Sequence, residues 1–280
     1  MRIRARRYLP VLLLLVAAAC GSVSEADSDP DARVVPDAPD ARVDPDDPDA
    51  GGGGGDKDDA AAEALCAEGM AFVPGGSFEL AEVPNEVKVE AFCMDITHVT
   101  ASAYADCESC AAAATTAECN TDVMNRTSDP ANCVDVAQAQ FYCESVDKYL
   151  PSEQEWEWAG RGGEAANLYA WGDDPPIAGD DRLCWFSGRD DQAFPNRPSA
   201  TCPVGFYDQR DVHPFGLEDM TGNVWTWTTS VGTNADNRVV RGGGWDNTLP
   251  DRMTTGFRNA AIPAGIRHQA LGFRCAQAPL

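Results

Sequence analysis

Eleven cysteines and three histidines supply the donor atoms with which this chain could hold a transition metal or form a nucleophile. The cysteines are Cys20, Cys66, Cys93, Cys107, Cys110, Cys119, Cys133, Cys143, Cys184, Cys202 and Cys275. Cys107 and Cys110, in "CESC", have the C-x-x-C spacing of a zinc site, with a disulfide framework as the rival reading. His98, His213 and His268 share no ligand spacing, so each reads as an ordinary surface or core side chain. No cysteine lies between Cys202 and Cys275, which leaves a long C-terminal stretch without a thiolate.

The setting of these residues favours disulfides. "MRIRARRYLPVLLLLVAAAC" has a basic head, a short apolar stretch and small residues before Cys20, the pattern of an export signal over residues 1–20. Ala17 and Ala19 fit ordinary cleavage, whereas Ala17-Ala18-Ala19-Cys20 fits a bacterial lipobox with Ala17 where Leu is usual. An odd cysteine count in an exported chain leaves one thiol over, and a lipid on Cys20 leaves an even set for an oxidising compartment. The expected location is the cell envelope, with an outer-membrane lipid anchor.

Residues 21–64 are rich in Asp, Pro, Ala and Gly, repeat "DPDAR", "APDAR" and "DPDA", and end near the run Gly51–Gly55. So little apolar surface cannot offset the entropy of ordering, and a disordered acidic spacer is expected. The net charge of −24 argues against a nucleic-acid partner, which would require a basic footprint.

Residues 65–280 have the composition of a globular domain, and they must position whatever chemistry exists. "GMAFVPGGSFEL" and "NEVKVEAFCMDIT" alternate as strands do around a Pro-Gly-Gly break. "VDVAQAQFYCESV" predicts a helix with Asp135 as N-cap. "LPSEQEWEWAGRGG" predicts a second helix, opened by a Ser152–Glu155 capping box and stopped at Gly160 or Gly162, with Trp156 and Trp158 in the core. The remainder is short, Gly- and Trp-rich and poorly periodic, which predicts loops held by disulfides. Cys184 and Cys202 flank a polar loop as natural partners, and Cys66 and Cys93 can staple the first strands. Cys107, Cys110, Cys119 and Cys133 allow three pairings.

Seven blocks over about residues 68–277 resemble, in order, the formylglycine-generating enzyme (sulfatase-modifying factor) family. They are "MAFVPGGSFEL", "DITHVTASAY", "YLPSEQEWEWAGRGG", "YAWGDD", "PFGLEDMTGNVWTW", "RVVRGGGWDN" and "LGFRCA". The resemblance implies an α+β, loop-rich, disulfide-stapled variant of the C-type lectin fold. It also implies a Cys143–Cys275 bridge and the loss of a second bridge, since Asn259 and Ala159 stand where that pair would be.

The family's oxidases hold copper(I) with two cysteines just after the block matched by "RGGGWDN". Here Asn247, Thr254 and Asn259 stand near those places, and Met253 offers only a weak thioether. Copper is therefore not expected. The family's iron-dependent branch draws on histidines in an added helical domain that this chain lacks. A calcium site would use Asp219 and the carbonyls of Gly222 and Val224, with Thr226 in place of an acid; the alternative is Asp219 capping a turn.

The leading expectation is a non-catalytic binding domain, tethered at the surface and using the segment after the Gly-Gly-Trp block. Trp245, Asp246, Asn247, Arg252, Met253 and Arg258 form the expected surface for an envelope or extracellular glycan, peptide or protein. Against it stands a structural reading, in which Arg258 and Arg274 are buried structural arginines and Trp245 is core. The competing function is an oxidase, or another enzyme, of the same family.

Overall fold

The computed structural model describes residues 65–81, 85–116, 118–121, 124–177, 182–185, 201–207 and 212–280. The expected signal, Cys20 and the acidic spacer lie outside the described residues. Among the described residues no helix is long and apolar enough to cross a membrane.

The first two alternating stretches become four strands, β1 (Met70–Val73), β2 (Gly76–Glu79), β3 (Glu86–Val89) and β4 (Phe92–Asp95). β2 and β3 pair as an antiparallel hairpin. β1 pairs with β4, and β4 takes the C-terminal β9 (Ala276–Gln277) on its other edge, so the two ends of the domain share one sheet.

Three helices follow. α1 (Ala101–Ala105) is capped by the Thr100 hydroxyl, which accepts from the Ala103 N–H. α2 (Val136–Ser145) starts at Asp135, whose carboxylate accepts from Gln138 N–H while the Gln138 side chain accepts from Asp135 N–H. α3 (Glu153–Gly160) has the expected reciprocal pair between Ser152 and Glu155 and ends at Arg161, followed by the left-handed Gly162. Each capping pair satisfies two amide donors that the first helical turn would otherwise leave open.

The C-terminal part adds short strands to the expected loops. β5 (Trp225–Val231), β6 (Asn237–Arg241), β7 (Asn259–Pro263) and β8 (Leu271–Gly272) form a four-stranded sheet in the order β7-β6-β5-β8. β5 and β8 are parallel, which sets Trp225 beside Leu271. Trp225 through Thr228 are all buried, so the strand carries no alternating pattern for a sequence reading to detect.

Side chains of α2, β5 and the β8–β9 segment make one core, centred on Trp227, Phe273, Tyr104 and Tyr142. A second gathers Trp156, Trp158, Phe78, Phe92, Leu217 and Met220 beneath α3 and the β2–β3 hairpin. Trp156 and Trp158 are core residues as expected, and the Trp158 indole donates to the Pro74 carbonyl at 2.7 Å.

Five disulfides staple these parts: Cys66–Cys93, Cys107–Cys110, Cys119–Cys133, Cys143–Cys275 and Cys184–Cys202. The three pairings expected from sequence and resemblance are present, and the open set of four resolves into Cys107–Cys110 and Cys119–Cys133. C-x-x-C is thus an internal disulfide, which leaves no thiolate there for zinc.

Candidate functional site

The segment after the Gly-Gly-Trp block divides into an inner and an outer face. Met253 is wholly buried with Tyr169, Leu183 and Trp185, and a Cβ on Gly243 (φ 76°) would lie 2.5 Å from its sulfur. Trp245 is buried in the first core, and its backbone N–H donates to the Asn223 carbonyl at 2.7 Å. These two side chains therefore correct the expected surface: both are core. Asp246 and Arg252 are exposed.

Arg258 belongs to an ion-pair lattice rather than to a free recognition surface. Its guanidinium donates to both carboxylate oxygens of Glu153, at 2.5 and 3.0 Å. Buried Arg241 donates to Glu153 and Glu157 at 3.2 and 2.7 Å. Burial raises the Glu157 carboxyl above its usual range, and the Arg241 charge opposes that rise. The lattice ties α3 to β6 and to the segment leading into β7. Arg274 is buried likewise and donates to the carbonyls of Asp95, Ile96 and Glu218.

Asn247 and Thr254, near the places where the resemblance puts the copper thiolates, both have structural work. The Asn247 amide oxygen accepts from the Trp225 indole at 3.2 Å and from Gly244 N–H at 2.8 Å. The Thr254 hydroxyl donates to the Asp251 carbonyl at 3.2 Å. An amide and a hydroxyl are hard donors, so these residues do not fit copper(I).

Among the calcium candidates only Asp219 carries charge. Asp219 is buried with φ 53°, and its carboxylate accepts from Gly205 N–H at 2.8 Å. Burial raises its proton affinity, while the Gly205 bond and the Arg274 charge lower it. Gly222 (φ 89°) donates its N–H to the Gly242 carbonyl, and a Cβ there would meet the Cys184 carbonyl at 2.8 Å. Val224 is core, and Thr226 has its hydroxyl on buried His98 at 2.9 Å. The one carboxylate of the set is already engaged and lies in the field of a guanidinium. A hard cation needs several oxygens and net negative charge.

The turn is held by covalent and amide contacts instead. Asn223 brackets Cys202 through its side chain, and its N–H donates to the Cys184 carbonyl at 2.8 Å. Among the described residues, no group of three or more His, Cys, Asp or Glu side chains could hold a metal.

Beside Asp246 the surface opens into a hollow of about 180 Å³. Its walls include Trp225, Ile262, Ile266 and Leu271, with Asp246, Asn259 and His268 as polar members. The Asn247 bond fixes the Trp225 indole, and Trp225 and Leu271 are neighbours through the β5–β8 pairing. His268 Nδ1 accepts from Ala270 N–H, so the neutral ring carries its proton on Nε2. The arrangement can seat a compact apolar group and offer a carboxylate and an imidazole to polar atoms beside it. Of the expected binding residues only Asp246 lines this hollow. The others that do so were missed because strand pairing, not local pattern, brings them together.

The family model described as sulfatase-modifying factor enzyme 1-like domain matches residues 57–279. The inactive C-alpha-formylglycine-generating enzyme 2 of Bos taurus is 36% identical over 152 residues, covering 49% of this chain and 46% of that protein. The formylglycine-generating enzyme of Mycobacterium tuberculosis is 38% identical over 117 residues, covering 40% of this chain and 36% of that one. The chain spans about half the length, or less, of the curated relatives it matches. PvdO from Pseudomonas aeruginosa has the same fold, with TM-score 0.59 and 21% identity over 75% of this chain and 94% of that one.

Proposed function

Since the chain belongs to the sulfatase-modifying factor family, we propose that it uses the family's fold as a binding domain without the oxidase chemistry. The observation that carries this reading is the occupation of the expected thiolate region by Asn247 and Thr254, each already spent on local hydrogen bonds. The ligand seat is the hollow beside Asp246, and its ligand is a peptide or protein segment presenting one compact apolar side chain. Trp225, Ile262 and Leu271 receive that side chain; Asp246 and His268 hydrogen-bond the atoms flanking it.

The domain is displayed from the cell envelope by a lipid on Cys20, through the acidic spacer. Support for the anchor comes from cysteine parity: five disulfides use ten cysteines, and Cys20 is the eleventh. It comes also from the export-like pattern of residues 1–20.

A peptide array probed with the purified chain tests the seat, with a glycan array beside it. Retention by peptides bearing aromatic or branched aliphatic residues is expected, weakened at least tenfold by Ile262→Arg, which fills the hollow with a charge. Retention unaffected by Ile262→Arg places the ligand elsewhere. Retention on glycans alone contradicts a peptide ligand, and turnover of a cysteine peptide contradicts the non-catalytic reading.

A further inference from the structure

One disulfide differs from the other four in ways that do not suit a structural staple. Cys107 and Cys110 are joined across a sequence separation of 3, whereas the other pairs span 14 to 132. A cross-link constrains the unfolded chain less as its loop shortens, so this one adds least to stability. The other eight cysteines among the described residues are buried, but Cys107 and Cys110 are both partly exposed, with exposed Glu108 and Ser109 between them.

Hollows open beside the bridge, one bordered by Cys107, Ser109, Tyr142 and Ser145, another by Cys107, Cys110, Ala112 and Thr121. The loop is also held without the bridge. Cys110 N–H donates to the Cys107 carbonyl, Cys107 N–H to the Tyr104 carbonyl, and Tyr104 Oη to the Ala111 carbonyl. Gln138 donates to the carbonyls of Ala111 and Ala112.

We propose that Cys107–Cys110 is a thiol–disulfide exchange site for dithiols, opened and closed while the domain stays folded. The direction of attack follows from the hydroxyls around it. Cys107 Sγ lies 3.6 Å from Ser109 Oγ, a donor able to stabilise a thiolate leaving at that sulfur. It lies 3.6 Å also from Ser145 Oγ, whose hydroxyl donates to the Tyr142 carbonyl at 2.7 Å and reaches the sulfur only by giving up that bond. A thiolate of the dithiol attacks Cys110 Sγ, a mixed disulfide forms there, and the electron pair of the broken S–S bond leaves on Cys107 Sγ. The second thiolate of the dithiol then attacks its own sulfur in the mixed disulfide, and Cys110 Sγ leaves. Both cysteine sulfurs end protonated. Two electrons and two protons have passed to the protein, and the dithiol has become a disulfide. Exposed Asp106 and Glu108 beside the bridge repel an anionic thiol, so a neutral dithiol is the better partner.

The test treats the folded full chain with limiting dithiothreitol, alkylates with N-ethylmaleimide and maps the labels by peptide mass spectrometry. Cys107 and Cys110 are expected to label at least tenfold faster than any other pair, with near-ultraviolet circular dichroism unchanged. Oxidised dithiothreitol should restore the bond. Ser109→Ala with Ser145→Ala should slow opening several-fold, glutathione should react more slowly than 2-mercaptoethanol, and the 2-mercaptoethanol adduct should sit on Cys110. Labelling no faster than that of Cys119 and Cys133, or loss of tertiary signal as the pair opens, overturns the proposal. An adduct on Cys107 overturns the assigned direction.

Discussion

Arg258 illustrates how a residue type chosen for recognition can be spent on structure. Its two bonds to Glu153 neutralise a carboxylate that also serves Arg241 in a buried lattice. Arg258→Ala should destabilise the domain by about 3 kcal/mol, the low end for breaking a buried pair because Arg258 is partly exposed. Thermal unfolding checks this, and an unchanged midpoint would show the pair to be dispensable.

His213 sets a second residue-level expectation. Burial lowers its imidazole from 6.5 to about 4, while its Nδ1 accepts from the N–H groups of Phe215 and Leu217. The folded state thus binds the proton more weakly than the unfolded state. Its contribution is fully present above about pH 6.5 and is lost as pH falls toward 4, on the order of 3 kcal/mol in all. Buried His98 is shifted in the same direction. Stability measured by denaturant should fall between pH 6.5 and 4, less steeply in His213→Asn. A flat profile would show that neither imidazole is held neutral.

At the scale of elements, the readable parts of the fold were those written in adjacent residues. Asp135 with Gln138 and Ser152 with Glu155 define helix starts within one turn, and both capping boxes form. The alternation of "GSFE" and "EVKV" marks strands because one face of each is more buried than the other. β5 to β8 were not readable, since β5 is buried on both faces where it begins and its parallel pairing to β8 bridges a long separation.

The same cause hid most of the candidate site. Asp246 could be chosen by type and place, but Ile262, Ile266 and His268 meet Trp225 only once β7, β6, β5 and β8 have assembled. Met253 and Trp245 were misplaced because a mixed aromatic and polar segment does not say which side chains turn inward.

Disulfide energetics belong to this scale as well. On the loop-entropy account, removing Cys143–Cys275 should cost about 5 kcal/mol, against about 2 kcal/mol for Cys107–Cys110. Paired alanine variants compared by denaturant unfolding check the ranking. Equal costs would mean that chain entropy does not govern these bridges.

For the whole molecule, four features describe one design. The two ends of the described domain meet in the β1-β4-β9 sheet, five disulfides close its loops, two main cores and two smaller clusters fill it, and the sequence carries a net charge of −24. Such a shell keeps an irregular surface in shape with few long elements. The oxidase members of its family use the fold to hold a soft metal, and here the residues near those places are hard donors bound to their own neighbours.

The central claim is that a binding surface has taken the place of copper chemistry. Its most direct test is copper(I) titration of the Cys107→Ser, Cys110→Ser variant, which removes the one partly exposed cysteine pair among the described residues, followed by aerobic incubation with a cysteine peptide and mass spectrometry. No stoichiometric copper and no formylglycine product are predicted. One copper(I) per chain with conversion of the peptide would contradict the account.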